Sequence, residues 1–478
     1  METGNTAISK EDIERLLDVE KLKYCYECGI CTASCSMAEM LGKDYNPRTL
    51  LEKIFLNPES VLASEELWLC AWCYCCNKRC PQALKLPEIF LSMRTKAIER
   101  GYTKPFEKAL KKIVEDIPLP LVNMFVCFHP ERAGLDTNKV LEETEKAYWE
   151  QTKKRQRKKA AKDSGKKIAI IGSGPAGLAV ASELAKRGHR VTIFEALNEP
   201  GGMLRKCIPE YRLPKQVLQR DIQLIKDLGV EIKSGITIGK DLSFDALKKG
   251  GNKAIFLGVG AHKSQNLKVE GGDLNGVINA LDFLWNANCS KKIEIGKSVA
   301  VIGGGNVAID AATTALRLGG NKVTILYRRS REEMPANPWE IKEAEDEGVK
   351  IEFLAAPKKI LGENGKVSGI ECVRMQLGEP DESGRRRPIP IEGSAFTQEV
   401  DMVILAIGEA PEVEFLPEEI DLNEDGTISV NPITMETSMQ GVFAGGDAVT
   451  GPATVIEAIC AGKRAAESIN DYLKSSGE

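Results

Sequence analysis

Aromatic side chains are scarce in this chain, 6% of 478 residues, and histidine occurs three times. His129, His189 and His262 are dispersed with no metal-ligand spacing, so they read as structural side chains, not as a metal or acid–base centre. An excess of one charge is also missing. With 65 basic and 69 acidic residues the formal charge is −4, far from the basic excess of a dedicated nucleic-acid binder. No apolar run suits a bilayer span: the longest, Ile168 to Ala185, is broken by glycines and Pro175, which makes it strand, turn and helix. The opening residues, Met1-Glu2-Thr3-Gly4, lack the basic start and apolar core of a signal peptide, which argues against export and for a cytoplasmic protein.

What the chain does have is length, glycine and clustered cysteine. At roughly 150 residues per domain it holds about three domains, and 42% hydrophobic with 28% charged residues is a soluble globular composition. Nine of the 14 cysteines fall between Cys25 and Cys80, which is the crowding of cluster ligands. Cys127, Cys207, Cys289, Cys372 and Cys460 stand alone, as free thiols in a reducing compartment do. The 43 glycines fit the close backbone approaches of nucleotide-binding α/β domains. Helical spacing around the cysteines predicts an α-helical domain over 1–120. Prolines and the basic run Lys153 to Lys159 then mark 121–165 as a linker, its charge a solvated spacer. From Lys167 onward short apolar strands alternate with helices, an α/β pattern.

That α/β region contains an internal repeat. Lys167-Ile-Ala-Ile-Ile-Gly-Ser-Gly-Pro-Ala-Gly177 is echoed by Ser298-Val-Ala-Val-Ile-Gly-Gly-Gly-Asn-Val-Ala308, and each copy leads into a helix and a second strand. Two Rossmann-like dinucleotide-binding units are expected. In the first, Gly172, Gly174, Pro175, Ala176 and Gly177 form the turn and helix start that would take a pyrophosphate, and Glu195 ends the next strand, where it could accept from a ribose hydroxyl. In the second, Gly303, Gly304, Gly305, Asn306 and Val307 form the turn. The position matching Glu195 is Tyr327, followed by Arg328 and Arg329. Two guanidiniums there can clamp a 2′-phosphate that a carboxylate would repel, so this unit should prefer NADP(H) to NAD(H).

The cysteine block is doubled: Cys25-x2-Cys28-x2-Cys31-x3-Cys35 and Cys70-x2-Cys73-x2-Cys76-x3-Cys80-Pro81. In two-cluster ferredoxins of this spacing the fourth cysteine ligates the other cluster. The expected ligand sets for two 4Fe–4S clusters are therefore Cys25, Cys28, Cys31 and Cys80, and Cys70, Cys73, Cys76 and Cys35. Cys75 is then a non-ligand. A zinc site competes, but four-cysteine zinc sites need only two pairs, and the doubled pattern favours iron–sulfur.

Gly441-Val-Phe-Ala-Gly-Gly-Asp-Ala448, ahead of a final helix, resembles the flavoprotein disulfide-reductase superfamily. The resemblance implies that Gly446 and Asp447 meet FAD and that the first unit is the flavin unit. The expected order is then an FAD-binding domain over 166–290, an inserted NADP-binding domain over 291–402 and a return to the FAD domain over 403–478. Where true disulfide reductases carry a Cys-x4-Cys pair, Cys207 stands alone, and one thiol cannot cycle through an internal disulfide.

Further motifs resemble the small subunit of glutamate synthase and the NADP-binding subunit of bifurcating NADH-dependent ferredoxin:NADP oxidoreductases. These are Gly201-Gly202-Met203-Leu204, Ile208 to Lys215, Tyr327-Arg328-Arg329 and Glu333-Met334-Pro335-Ala336. This adds Gly202, Met203, Leu204, Arg212, Gly260 and Thr454 to the implied cofactor contacts. The cysteine block resembles the cluster domains of heterodisulfide reductase C-type subunits and succinate dehydrogenase iron–sulfur subunits. Leu119 to Glu131 resembles a remnant of the later cysteine group of glutamate synthase small subunits.

Together these imply a subunit in which NADPH exchanges hydride with FAD and single electrons pass through the clusters to partner subunits carrying iron–sulfur clusters or flavin. A ferredoxin/NAD(P) transhydrogenase with flavin-based bifurcation, drawing on ferredoxin and NAD(H) through the complex, fits best. A glutamate synthase small subunit and a non-enzymatic electron relay are the rivals. Hydride transfer needs positioning rather than a side-chain acid, so no catalytic residue is assigned.

Overall fold

The computed structural model describes residues 14, 19–157, 163–265, 267–289, 293–381 and 384–475. The chain forms two compact units, one of Met1–Gly202, Lys215–Gly260 and Val413–Glu478, the other of Met203–Pro214 and Ala261–Glu412.

In the first unit a five-stranded parallel sheet runs in the order Val442–Ala444, Asn252–Leu257, Lys167–Ile171, Arg190–Glu195, Glu231–Ser234. Its central strands are almost wholly apolar and buried, as parallel strands covered on both faces must be. The helix Pro175–Lys186 packs against the C-terminal helix Val455–Ser475. A Cβ at Gly462 would lie 2.5 Å from the Ala176 carbonyl oxygen, so only glycine allows that approach.

The cysteine-rich helical region belongs to this same unit rather than standing apart. Its short helices are set by local signals: Asn46 caps Pro47–Leu56 by accepting from the Arg48 and Thr49 amides at 3.0 and 3.2 Å. It is fastened to the final helix by Arg464–Glu39 and by Lys463, which donates to the carbonyls of Met40 (3.2 Å) and Asp116 (2.8 Å). Buried Asp221 adds a second tie by accepting from the amides of Leu121 (3.3 Å) and Val122 (2.7 Å).

The segment read as a linker differs in the structure. Thr137–Arg157 is one continuous helix that packs on Lys104–Asp116, with Val140, Leu141, Thr144 and Ala147 buried. An apolar stripe at helical spacing outweighs its overall polarity. The first part of the basic run continues this helix; Lys158 and Lys159 lie outside the described residues.

The second unit repeats the architecture. Its parallel sheet has the order Val277–Asn279, Met402–Leu405, Ser298–Ile302, Lys322–Tyr327, Lys350–Phe353. An antiparallel sheet of Ala355–Glu363, Lys366–Pro380 and Arg386–Gln398 is added to it. Residues 203–214 and 261–290, read from sequence as part of the first α/β domain, belong to this second unit. The helix Ala280–Asn288 explains the difference, because Phe283 and Leu284 are buried in the core around Val299 and Val323.

Candidate functional site

The first glycine turn is shaped by exclusion. Gly172 has φ 97°, and a Cβ there would sit 2.4 Å from the Gly258 carbonyl oxygen; one at Gly177 would sit 2.1 Å from the Gly172 oxygen. Gly202 closes on Gly174 in the same way, at 2.9 Å from its Cα. Gly174 itself faces open space, and it caps Pro175–Lys186 with no side-chain hydrogen bond. The turn therefore presents free helix amides to an open cradle, which fits a dinucleotide pyrophosphate. Gly446, at φ 70°, brings Asp447 and its short helix beside Ala176: a Cβ on Gly446 would lie 2.9 Å from that of Ala176. Gly260, also at positive φ (67°), follows the strand Asn252–Leu257.

Glu195 ends its strand as expected but is already engaged. Buried, it accepts from the Ser173 amide at 2.9 Å, from the Ser173 hydroxyl and from the Leu197 amide at 2.8 Å. Ser173 in turn accepts from the Gly201 amide at 2.9 Å. One carboxylate thus joins the two glycine turns, a positioning role that the strand-end reading did not foresee. Thr454 is likewise occupied: its hydroxyl donates to Glu457 at 2.7 Å, capping the C-terminal helix.

In the second unit Gly303 (φ 144°) and Gly305 repeat this division of labour. A Cβ on Gly303 would lie 2.1 Å from the Ala406 oxygen, while Gly305 faces open space. Gly304 lies under the Tyr327 ring, 2.4 Å from a built Cβ, so the aromatic strand end forms the floor of the turn. The segment after Glu333 closes over it: the Ala336 amide donates to the Gly304 carbonyl at 3.1 Å and the Asn337 amide to Asn306 Oδ1 at 3.2 Å. Val307 is half-buried at the start of the helix Asn306–Arg317.

The arginine clamp needs correction. Arg328 is exposed, but Arg329 is 4% exposed, paired through Nη2 with Asp381 and donating from Nε to the Arg386 carbonyl at 2.8 Å. Both residues follow the strand Lys322–Tyr327, and it is the pair with Asp381 and the bond to the Arg386 carbonyl that hold the Arg329 guanidinium. The structure instead brings Arg385 close. Partial desolvation and the Arg329 and Arg385 charges hold Arg328 below its ordinary range, and Arg385 also lies beside the Tyr327 hydroxyl. The sequence signal was the run Arg385-Arg386-Arg387.

Arg212, expected at a cofactor, is held by two buried carboxylates. It pairs with Asp310 at 2.8 and 2.9 Å and with Glu340. Met203 and Leu204 begin the short helix Met203–Lys206 of the same unit. Cys207 is buried, and burial followed by nearby Asp310 pushes its thiol up. Burial also drives His262 down to about 4, Lys206 contributing. His189 hydrogen-bonds Ser164 and Asn470, and His129 sits on Glu131.

The cysteines gather as two sets. Burial, then Cys80, Cys31 and Cys28, push the Cys25 thiol up to about 11. Burial, then Cys73 and Cys70, push Cys35 up to about 12, against an opposing Ala38 amide. Cys76 is raised by burial and by Cys70, Cys73 and Cys35 among its neighbours. Each x3 cysteine therefore neighbours the opposite triplet, the arrangement a two-cluster site requires. Cys75 hydrogen-bonds Cys73, which lowers Cys73 and raises Cys75. The residue after the second cysteine of each block is left-handed, Gly29 at φ 66° and Tyr74 at φ 62°, and each starts a short helix. Among the described residues no three His, Cys, Asp or Glu side chains converge on a single metal ion. Glu457, near the start of the C-terminal helix, hydrogen-bonds Cys75 and lies 3.9 Å from Arg79.

Residues 166–462 match the family model for pyridine nucleotide-disulphide oxidoreductases. The chain belongs to this family. Among the described residues Cys207 is a free thiol. Residues 21–84 match the 4Fe-4S dicluster domain. The NADP(+)-dependent formate dehydrogenase subunit beta of Moorella thermoacetica is 50% identical over 314 residues, 65% of this chain and 44% of that protein. The NADPH-Fe(3+) oxidoreductase subunit beta of Geobacter sulfurreducens is 41% identical over 435 residues, 84% and 63% of the two. The glutamate synthase [NADPH] small chain of Azospirillum brasilense is 37% identical over 336 residues, 66% and 69%. The chain therefore spans about half to two thirds of the first two relatives. In fold, FprA of Mycobacterium tuberculosis superposes with TM-score 0.57 at 21% identity, over 65% of this chain and 85% of that one. Lactococcus lactis thioredoxin reductase gives 0.52 at 20%, over 65% and 99%. No helix among the described residues is long and apolar enough to cross a membrane.

Proposed function

We propose that this family member is the NADP(H)- and FAD-binding iron–sulfur subunit of a cytoplasmic multi-subunit electron-transfer complex. What carries the reading is that two open glycine cradles and two cysteine quartets occur in one chain, with the quartets fastened to the final helix of the first α/β unit. Bound flavin would supply the conversion between a hydride and two single electrons. The chain's own part is to bind and orient. Gly172, Gly174, Gly177, Gly202 and Gly446 shape the FAD cradle, which Glu195 braces through Ser173. Gly303 and Gly305 shape the nucleotide cradle, with Arg328 and Arg385 beside the adenosine 2′-phosphate. Cys25, Cys28, Cys31 and Cys80 would hold one 4Fe–4S cluster, and Cys35, Cys70, Cys73 and Cys76 the other. Partner subunits would carry the remaining centres, and a ferredoxin/NAD(P) transhydrogenase is the complex favoured.

A glutamate synthase role is the second reading, supported by likeness to that enzyme's small chain over the α/β region. Anaerobic purification from the native source tests both. The first predicts about eight iron and one FAD per chain, flavin bleaching by NADPH, and co-purifying subunits with redox centres. Co-purification with an amidotransferase would favour the second, and stoichiometric zinc without iron would overturn the cluster assignment.

A further inference from the structure

Arg94 is among the largest fully buried side chains of the described residues, 2% exposed on the helix Leu86–Glu99. Its guanidinium donates to three main-chain carbonyls: Leu67 from Nε at 3.0 Å, Phe128 from Nη1 at 3.3 Å and Cys70 from Nη2 at 2.6 Å. It also lies over the Trp68 ring, 5.4 Å from the centroid. Among the described residues no carboxylate pairs with it. An arginine cannot shed its proton in a protein, and a buried charge without a counter-ion is strongly disfavoured. The charge must therefore be answered by something else.

The electrostatic neighbours of Arg94 are Cys70 and Tyr45. Tyr45, 2% exposed, hydrogen-bonds the Cys70 thiol, and the Trp72 amide donates to Cys70 Sγ at 3.4 Å. Three sources of positive potential thus converge on one cysteine. In the other set the Leu84 amide donates to Cys80 Sγ at 3.4 Å, Thr32 hydrogen-bonds Cys31 and the Arg48 charge acts on Cys25, but among the described residues no buried cation faces it as Arg94 faces Cys70. Four thiolates around an iron–sulfide cube leave it with net negative charge, and net charge and hydrogen bonds to sulfur set its potential.

We propose that Arg94 is the built-in counter-cation of the cluster held by Cys35, Cys70, Cys73 and Cys76, a positioning residue that raises that cluster's potential without touching iron. This rests on the iron–sulfur reading of the quartets. Reduction adds negative charge beside the guanidinium, so removing the guanidinium makes reduction harder.

The test is an anaerobic redox titration of the holoprotein followed by electron paramagnetic resonance, with Tyr45→Phe identifying the signal of the Cys70 cluster. Arg94→Gln, which keeps hydrogen bonding but loses charge, should reduce the equilibrium constant for that cluster's reduction about tenfold, a fall of about 59 mV for one electron. The other cluster should stay unchanged. Arg94→Lys, which keeps charge but loses the carbonyl fork, should stay near the wild-type potential. An unchanged potential in Arg94→Gln, or an equal fall in Arg94→Lys, overturns the proposal and leaves Arg94 a purely structural tie. If Arg94→Gln does not assemble the cluster, Arg94→Lys decides: assembly at the wild-type potential supports the proposal, and failure or a lowered potential refutes it. A wild-type protein without iron would instead refute the functional reading.

Discussion

Replacing Arg328 by alanine should weaken NADPH while leaving NADH nearly untouched, and replacing Arg329 should not. A charge-assisted contact to phosphate contributes about 1.5 to 3 kcal/mol, and the exposure of Arg328 puts it at the lower end. That corresponds to about tenfold in affinity. Arg385→Ala should act in the same direction, and the double variant should approach a hundredfold if the two contacts add. Arg329→Ala breaks a different bond. Its pair with Asp381 is 4% and 23% exposed on the two sides, so the loss falls below the ~3–5 kcal/mol of a fully buried pair, at roughly 1–3 kcal/mol of stability. It should therefore appear as a melting temperature lowered by several degrees. Titrating flavin reduction with NADPH and NADH in rapid-mixing experiments, beside thermal melts of each variant, separates the two effects. The reasoning fails if Arg329→Ala weakens NADPH at an unchanged melting temperature while Arg328→Ala does nothing.

Cys35→Ser should damage the cluster shared with Cys70, Cys73 and Cys76, whereas Cys75→Ser should retain full iron; equal iron loss in both variants would reject the crossed ligand sets. Asp221 carries a pH dependence. Burial raises its carboxyl to about 7, against the bonds from the Val122 and Leu121 amides. A raised folded-state value means that stability is fully present below about pH 4 and is lost as pH rises through about 7, by at most about 4 kcal/mol. Asp221→Asn should flatten the urea-stability profile across that window, and an unchanged slope would contradict the assignment.

Much of the site could be read locally. The glycine turns and cysteine spacings are short-range patterns whose chemistry is fixed within about ten residues, and the structure places Gly172, Gly174, Gly303 and Gly305 in two matching cradles. What escaped was set by partners distant in sequence. Arg329 is taken up by Asp381, 52 residues on, and Arg385 arrives from just before the strand Arg386–Gln398. Arg212, expected at a cofactor, is paired with Asp310 and Glu340, 98 and 128 residues on. The helix Thr137–Arg157 was hidden by its many charges; its narrow buried stripe becomes visible only once Lys104–Asp116 lies beside it.

The pinning of the cysteine-rich region to Val455–Ser475 also bears on biogenesis. Glu39, Met40 and Asp116 leave the ribosome first, and Lys463 and Arg464, which fasten them, follow 347 to 425 residues later. At ~5–20 residues per second the interval is on the order of tens of seconds. For that time the thiols and the apolar face awaiting the final helix are open to oxidants, to metal-loading machinery and to chaperones. Metal delivery thus has a window that closes when that helix docks.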